Sequence, residues 1–325
     1  MNTLLEVKDL NVSFQGNENE TVTAVSGLSF FIREKEILAL VGETGCGKSV
    51  VAHAVVRLLP SESRVMGTIK FGGKNLLELS EKEMSGLRGK EISIIFQNPS
   101  LALNPVYSIE HQLAEPLRIH GQKMKKKVKK TEGKKENNAL SKVVKALESM
   151  GFSNPHECMR YYPSWCSGGM NQRFLIAASN MLDPVLLIAD EPSKGLDRSR
   201  VAELENELKG LKERSGTSML LISHDLSFVR RLADRIAVMY AGEIVELAEP
   251  KQFFEKPFHP YALGLLKSLP ENGFIPIPGS SPSLSSLPEG CRFHPRCSFK
   301  EKRCMQEHPE LKESKGRAVR CFLWA

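Results

Sequence analysis

The chain has 325 residues, of which 41% are apolar, and a formal net charge of +7. This length exceeds one average domain, and the composition allows a buried core plus a smaller appendage. No run approaches the roughly 20 apolar residues that a membrane-spanning helix needs, and the start lacks the pattern of a secretion signal. We therefore expect a soluble cytoplasmic protein, for which any transport role requires separate membrane subunits.

Almost all of the excess positive charge lies in residues 123–136, which hold eight lysines and two glutamates. Blocks of like charge repel and resist packing, so we expect a solvated, mobile surface loop. Contact with anionic lipid headgroups is the alternative. No aromatic residue interleaves with these lysines, which argues against a nucleic-acid partner.

Short apolar runs bounded by polar residues predict the strands of a central, largely parallel sheet. Apolar residues at helical spacing near 140–150 and 201–211 predict helices that each present one buried stripe. Residues 98–180 show no clear strand, so we expect a helical subdomain there, and residues 275–282 are typical of an extended linker. The predicted strands are 36–41, 92–96, 185–189 and 218–222, and a helix is predicted over 49–59.

A glycine-rich segment follows the first of these strands and leads into the predicted helix. In Gly42-x4-Gly47-Lys48-Ser49 the glycines let backbone N–H groups face phosphates, and Lys48 supplies a point charge. The hydroxyl of Ser49 can bind magnesium. The strand, loop and helix are the context that a phosphate-binding loop requires, and this predicts nucleotide binding.

Polar residues at the ends of the other strands are candidates for the rest of the site. Asp190 can bind magnesium and Glu191 can polarise an attacking water, the alternative being an exposed acidic turn. Gln97 could reach magnesium or be a plain turn residue. His224 could contact a γ-phosphate, although such a residue is more often an ordinary strand-end histidine. Phe14 could stack on adenine or simply pack in the core.

With the turn Ser167-Gly168-Gly169-Met170 and the segment Gly195-Leu196-Asp197, these motifs resemble the ATP-binding subunits of ATP-binding cassette (ABC) transporters over about residues 3–270. The resemblance implies an α/β P-loop NTPase fold with a RecA-like core, an antiparallel β subdomain and an inserted helical subdomain. It implies that two subunits pair head to tail, so that Ser167, Gly168, Gly169 and Met170 complete the partner's ATP site while Asp197 links the two sites. The residues that it implies bind ATP are Phe14, Gly42, Glu43, Thr44, Gly45, Cys46, Gly47, Lys48, Ser49, Val50 and Gln97.

The resemblance also implies magnesium at Ser49, Gln97 and Asp190, and catalytic roles for Lys48, Glu191 and His224. The sequence departs from the usual pattern at Cys166, where the family has leucine, and at Asn171, where arginine or lysine is common. Residues 193–197 read Ser-Lys-Gly-Leu-Asp in place of Thr-Thr-Ala-Leu-Asp. The phosphate-facing residues are retained, so we expect an active ATPase.

Further motifs near the end of the chain resemble the C-terminal extension of oligopeptide, dipeptide and nickel importer ATPases. They are Phe258-His259-Pro260-Tyr261-Ala262 and Cys291-Arg292-Phe293-His294-Pro295-Arg296-Cys297. The resemblance implies two transmembrane permease subunits, a second and non-identical ATPase, and an extracytoplasmic solute-binding protein. It places the chain peripherally on the cytoplasmic face of the inner membrane. We expect domains at 1–270 and 271–325.

The extension carries four cysteines, Cys291, Cys297, Cys304 and Cys321. Their separations are wider than those typical of structural zinc, whereas iron–sulfur clusters accept irregular spacing. A [4Fe–4S] cluster is therefore favoured over Zn²⁺, and free thiols are the remaining alternative.

Other classes of nucleotide-binding protein fit the sequence less well. A soluble cassette ATPase of DNA repair or of the ribosome would normally have tandem cassettes or a long coiled-coil insertion, and the sequence has neither. A P-loop kinase or GTPase would leave the Ser-Gly-Gly turn and His224 without a role. We therefore expect an ATPase that powers peptide import, with nickel or another small solute as the alternative cargo.

Overall fold

The structure, a computed structural model, describes residues 2–16, 21–124, 132–314 and 316–324. Within these ranges no helix has the length and apolar character needed to cross a membrane. The chain divides into two compact units, one made of Met1–Glu78 with Leu220–Ala325 and the other of Leu79–Met219. The predicted boundary at residue 271 divides the chain differently and stays a prediction.

The strands of the described residues are assigned in chain order. They are β1 (Thr3–Gln15), β2 (Thr21–Arg33), β3 (Ile37–Val41), β4 (Arg64–Phe71), β5 (Lys74–Asn75), β6 (Ile92–Ile95), β7 (Leu186–Asp190), β8 (Ser218–Ile222), β9 (Arg235–Tyr240), β10 (Glu243–Ala248), β11 (Lys312–Ser314) and β12 (Arg317–Val319).

The helices follow the same numbering. They are α1 (Lys48–Val56), α2 (Glu81–Leu87), α3 (Pro99–Ala102), α4 (Ile109–Met124), α5 (Glu132–Ser149), α6 (Pro155–Cys158), α7 (Gly168–Ser179), α8 (Arg198–Ser215), α9 (Leu226–Leu232), α10 (Pro250–Glu255) and α11 (Pro260–Lys267).

In the first unit, a four-stranded antiparallel sheet has the order β2-β1-β4-β5, and a second sheet places β3 between β9 and β8. The residues of β3 are all buried, as expected of a continuous apolar run in a central strand. It pairs in parallel with β9, with Val41 opposite Val238. The phosphate loop therefore begins where a fully buried strand ends.

The C-terminal extension is built into this second sheet. Its strand β12 pairs antiparallel with β10, with Glu246 opposite Val319, and β11 pairs with β12. The segment predicted as a linker, 275–282, has no helix or strand and is mostly exposed. It contacts the rest of the first unit where Ile277 lies against Gly264, and the carbonyl of Pro278 accepts a hydrogen bond from Arg296 at 2.9 Å.

In the second unit, β6 and β7 pair in parallel, with Ile95 opposite Ala189. Helices fill the described part of 98–180, and α5 buries Val143 and Leu147 while Leu140 is exposed. The lysine-rich segment differs from the predicted loop, because α4 continues to Met124 and α5 already begins at Glu132. Residues 125–131 of that segment lie outside the described residues.

A buried carboxylate connects the extension to the rest of the first unit. Glu246 is fully buried and accepts hydrogen bonds from the backbone N–H groups of Phe258 and His259, the latter at 2.7 Å. Arg317 of β12 donates to the same carboxylate at 2.8 Å. Removing one partner of a buried ion pair leaves the other charge without compensation, which costs about 3 kcal/mol or more.

We therefore expect Glu246→Ala to lower the free energy of unfolding by about 3 kcal/mol. Chemical denaturation followed by circular dichroism measures this change. Glu271→Ala, at an exposed position of the same unit, is the control and should change stability by less than about 0.5 kcal/mol. Equal stabilities for the two variants would show that the buried pair contributes nothing net.

Candidate active site

The phosphate loop, residues 42–49, connects β3 to α1 in the first unit. Lys48 is buried, and its Nζ donates to the carbonyl oxygens of Gly42 at 2.8 Å and Glu43 at 2.9 Å. The loop therefore wraps around the ammonium group at the N-terminus of α1. Backbone N–H groups and a helix N-terminus in this arrangement favour an anionic ligand such as phosphate.

Two glycines of the loop allow other backbone segments to come close. Gly47 has a φ of +106°, and a Cβ there would collide with the carbonyl oxygen of Ala24 in β2 and lie 2.8 Å from Cε of Met239. A Cβ at Gly42 would collide with the carbonyl oxygen of Met239. Only glycine fits these positions, because it lacks the Cβ and tolerates positive φ.

Glu43 contacts residues in the C-terminal part of the first unit. Its N–H donates to the Tyr261 hydroxyl at 2.8 Å, and its carboxylate accepts from Arg296 at 2.8 and 3.0 Å. Burial raises the pKa of the Glu43 carboxyl, but hydrogen bonds from Arg296 and Ser281 outweigh burial and leave the pKa below its usual value. Glu43 is therefore a charged group at neutral pH.

Two further predicted residues lie in the first unit. The N–H of Ser223 donates to the carbonyl of Leu40 at 3.3 Å, so His224 follows β8 at the edge of the sheet where β3 enters the phosphate loop. Phe14 lies in β1 and is paired with Val22 of β2. His224 thus shares an edge with the loop, while the predicted stacking of Phe14 on adenine stays a prediction.

Ser49 lies in α1 of the first unit, whereas the other predicted magnesium ligands and the predicted water-activating residue lie in the second unit. Asp190 is the buried last residue of β7, and Gln97 follows the end of the neighbouring parallel strand β6. Their side chains therefore belong to the same edge of the strand pair, and amide and carboxylate oxygens are ligands that magnesium accepts. Glu191 is buried and has a φ of +51°, a strained conformation that clusters at functional sites.

The Ser-Gly-Gly turn begins α7. Ser167 is the N-cap of that helix, and its hydroxyl accepts from the N–H of Met170 at 3.3 Å. Asn171, the departure from a basic residue, is buried and donates from Nδ2 to the carbonyl of Pro163 at 3.0 Å. The turn is consequently fixed by a cap on one side and a buried amide on the other.

Arg200, which the sequence analysis missed, brings Asp197 and the Ser-Gly-Gly turn together. Asp197 is the N-cap of α8, and its Oδ2 lies 3.1 Å from Nε of Arg200. The Arg200 guanidinium covers Gly169, where a Cβ would collide with it. No local pattern indicates this contact, because Arg200 is one of several charged residues at the start of an ordinary surface helix.

All four cysteines of the extension line one cavity of about 20 Å³ in the first unit. Burial raises the pKa of the Cys291 thiol to about 12. Thiolates suit iron or zinc, but the cavity has room for only about one water, and no group of three or more candidate ligands in the described residues is spaced to hold a metal. The donor chemistry therefore fits a metal, whereas the present spacing of the four thiols does not.

Comparison with known proteins agrees with this geometry. The family described as "ABC transporter" matches residues 25–194, and "Oligopeptide/dipeptide transporter, C-terminal region" matches residues 245–304. The oligopeptide transport ATP-binding protein AppD of Bacillus subtilis is 42% identical over 100% of this chain and 98% of its own length. The dipeptide transport ATP-binding protein DppD of the same organism is 41% identical over 99% and 95%.

Solved structures share the fold. A dimeric ATP-binding cassette in a post-hydrolysis state, bound to ADP and Pi, matches 76% of this chain and 99% of its own at 22% identity, with a TM-score of 0.65. The cbiO1 protein of Clostridium perfringens, part of the ABC transporter complex cbiONQ, matches 79% and 93% at 26% identity, with a TM-score of 0.61.

The fold and the phosphate loop together define an α/β P-loop nucleotide-binding protein. The predicted α/β P-loop fold is therefore confirmed, while its predicted division into subdomains stays a prediction. The chain belongs to the ABC transporter family, as an ATPase of the group that carries the oligopeptide/dipeptide transporter C-terminal region. The predicted family and ATPase activity are thereby confirmed.

The close approach at Gly47 predicts how substitution affects ATP hydrolysis. Gly47→Ala and Gly45→Ala both place alanine at positive φ, which costs about 1–2 kcal/mol. Only the first adds a backbone collision, since a Cβ at Gly45 meets no described atom within 4 Å. We expect Gly47→Ala to reduce the hydrolysis rate about 100-fold, the cost of displacing reacting groups by about 1 Å.

Steady-state phosphate release by the two variants, assayed side by side, tests this expectation. Gly45→Ala is the matched control, and its loss should be at least about tenfold smaller, because it lacks the collision. Equal losses would mean that backbone conformation alone, and not the contact with Ala24, makes glycine necessary at Gly47.

Proposed function

We propose that this ATPase powers the import of peptides through a membrane ABC transporter. The match of residues 245–304 to the oligopeptide/dipeptide transporter C-terminal region carries the proposal. It is supported by relatives named for oligopeptide and dipeptide transport that align over nearly the whole chain. Nickel, or another small solute, is the alternative cargo.

We propose that the chain acts peripherally at the cytoplasmic face of the inner membrane. Its partners in this proposal are two transmembrane permeases and a second, non-identical ABC ATPase. An extracytoplasmic solute-binding protein would deliver cargo to the permeases. Two matching relatives, each named as an oligopeptide transport ATP-binding protein, from Salmonella typhimurium and Escherichia coli, support this proposal.

In the first unit, we propose that the phosphate loop binds the phosphates of ATP. Lys48 supplies positive charge and the loop N–H groups donate hydrogen bonds to phosphate oxygens. His224 contacts the γ-phosphate, and Phe14 stacks on the adenine. The antiparallel sheet β2-β1-β4-β5 corresponds to the antiparallel subdomain in this proposal, and the central sheet to the RecA-like core.

In the second unit, we propose that Glu191 accepts a proton from water as that water attacks the γ-phosphorus. The bond from the γ-phosphorus to the bridging oxygen breaks, and ADP leaves with the electron pair. Ser49, Gln97 and Asp190 would hold magnesium, which would supply positive charge to the phosphates when bound. Ser167 and Gly169 contact the γ-phosphate bound by a partner ATPase, and Asp197 links the two sites.

The role of Glu191 generates a specific prediction. Glu191→Gln keeps a similar shape but cannot accept the proton, so hydrolysis should fall about 100-fold or more while ATP remains bound. Steady-state phosphate release and equilibrium binding of ATP measure the two effects separately. Glu213→Gln, at an exposed position of α8, is the control. Rapid turnover by Glu191→Gln would remove Glu191 from its proposed role.

The same variant serves in a cellular test of the cargo. A strain lacking this gene is complemented with the wild-type chain or with Glu191→Gln, and uptake of a labelled oligopeptide and of nickel is followed. Peptide uptake restored only by the wild-type chain supports the proposal. Restoration of nickel uptake alone assigns the alternative cargo, and no effect on either contradicts an importer of this group.

We further propose that Cys291, Cys297, Cys304 and Cys321 hold a [4Fe–4S] cluster, with Zn²⁺ as the alternative. Their convergence on one cavity supports the proposal, and their present spacing means that loading would require the cysteines to rearrange. A metal crosslink would stabilise a short extension that has little core of its own.

Removing one proposed ligand tests the metal site directly. Cys297→Ser should release iron, or zinc, from protein purified without oxygen, as measured by metal and sulfide content. Cys158→Ser, a buried cysteine of α6 outside the extension, is the control and should retain the wild-type content. Unchanged metal content in Cys297→Ser, or none in the wild type, would contradict the proposal.

A further inference from the structure

One ion pair joins the C-terminal extension to the phosphate loop. Arg296 ends the short 3₁₀ turn His294–Arg296, and its Nη1 and Nη2 donate to Oε2 and Oε1 of Glu43 at 2.8 and 3.0 Å. The two residues are 253 positions apart in the chain. The Arg296 side chain is only 6% exposed, whereas that of Glu43 is 28% exposed. The two side chains meet in the bidentate geometry of a strong charge-assisted contact.

Other contacts fix the guanidinium of Arg296 in place. Its Nε donates to the carbonyl of Pro278 at 2.9 Å, and Nη1 donates to the hydroxyl of Ser281 at 3.1 Å. Ser281 itself donates to the Glu43 carboxylate. Arg296 is thus held by contacts within the extension as well as by the phosphate loop. These contacts restrict its side chain and so reduce the entropy lost when it binds Glu43.

Glu43 is in turn held at each of its polar groups. The hydroxyl of Tyr261 accepts a hydrogen bond from the Glu43 N–H, and Lys48 donates to the Glu43 carbonyl oxygen. Arg296 donates to the Glu43 carboxylate. Tyr261 and Arg296 belong to the two C-terminal motifs, His-Pro-Tyr and Phe-His-Pro-Arg. Both motifs therefore converge on the second residue of the phosphate loop.

The negative charge of Glu43 affects the binding of ATP. A carboxylate in a loop that binds polyphosphate repels the ligand unless a cation neutralises it, and at close range in a partly buried site the repulsion is weakly screened. Arg296 is a cation in direct contact with that carboxylate. Without Arg296, the Glu43 carboxylate would keep the hydrogen bond from Ser281 but would lose the cation in direct contact with it.

We propose that Arg296 is a positioning residue for ATP binding, which holds and neutralises Glu43 so that the phosphate loop can accept polyphosphate. The inference rests on the proposed role of the loop in ATP binding. It gives the C-terminal extension a function within the nucleotide site of its own chain.

The test measures the dissociation constant of MgATP on the full chain, with a fluorescent ATP analogue, for Arg296→Ala, Glu43→Gln and the double variant. Arg296→Ala should weaken binding about tenfold or more, because it leaves a carboxylate unpaired. Glu43→Gln should weaken binding less than about threefold, since the charge that it leaves behind is the Arg296 cation, which attracts polyphosphate rather than repelling it. The double variant should match Glu43→Gln, so that removing the carboxylate rescues the loss of the arginine.

Rescue separates positioning from general damage to the fold, because a purely structural loss would persist in the double variant. Arg303→Ala is the matched control, as this arginine pairs with Glu301 inside the extension at 3.0 Å, and it should bind MgATP like the wild type. If Arg296→Ala does not fold, Arg296→Gln takes its place, and it should also weaken MgATP binding about tenfold or more, because it likewise removes the positive charge that neutralises Glu43.

Two outcomes would overturn the inference: wild-type affinity in the folded Arg296 variant, or a double variant as weak as Arg296→Ala. Lys48→Ala distinguishes these from failure of the proposed nucleotide site. Lost binding in Lys48→Ala with normal binding in Arg296→Ala rejects only the positioning role. Normal binding in Lys48→Ala rejects the assignment of the phosphate loop on which the inference rests.

Discussion

The close contact of three backbone segments with the phosphate loop determines the shape of the nucleotide site in the first unit. The carbonyl oxygens of Ala24 and Met239 lie where side chains at Gly47 and Gly42 would project. The N–H of Gly242 donates to the carbonyl of Cys46 at 3.0 Å. These segments come from β2, from β9 and from the turn between β9 and β10, so strands far apart in sequence must be in place before the loop can adopt its conformation. The glycines are a consequence of this crowding as much as of phosphate binding.

Buried ion pairs connect distant segments of the first unit in a similar way. Glu36 before β3 pairs with Arg235 at the start of β9 at 3.0 Å, and Glu246 of β10 pairs with Arg317 of β12 at 2.8 Å. A buried charge is tolerated only with a well-placed partner, so a shifted strand register would leave both charges unpaired. The pairs thereby favour one register of β9 and β12. Selecting one strand register is a different effect from raising the free energy of unfolding. Burying the two charges also has a desolvation cost, which lowers that free energy.

The sequence predicted best those features that local patterns encode. Continuous apolar runs located β3, β6, β7 and β8 to within about one residue, because strands buried on both faces consist mostly of apolar residues. The prediction of a loop over the lysine-rich segment was partly wrong, because α5 already begins at Glu132 despite the like charges. Apolar residues later in α5 give that helix a buried face. The strands of the extension were missed, as β11 and β12 are three residues long and contain charged side chains.

Contacts between residues distant in sequence could not be predicted, because nothing in the local pattern around Arg296 or Arg200 indicates which acidic group or glycine each one reaches. The family motif identified Arg296 by position but gave no physical reason for an arginine there. Only the folded chain shows that its guanidinium meets Glu43. Such contacts depend on the whole topology, and a single sequence without related sequences does not reveal them.

The departures from the usual ABC pattern have a local structural account in the second unit. Cys166 donates from Sγ to the carbonyl of Tyr162 at 3.3 Å, and Asn171 satisfies the carbonyl of Pro163 from inside the helix. Gly195 has a φ of +77°, which glycine adopts more easily than the alanine usual there. Cys166 and Asn171 therefore each donate a hydrogen bond beside the Ser-Gly-Gly turn, and Gly195 adopts the positive φ of its own turn without strain. Ser167 still caps α7, and Ser167 and Gly168 remain exposed beside these changed residues.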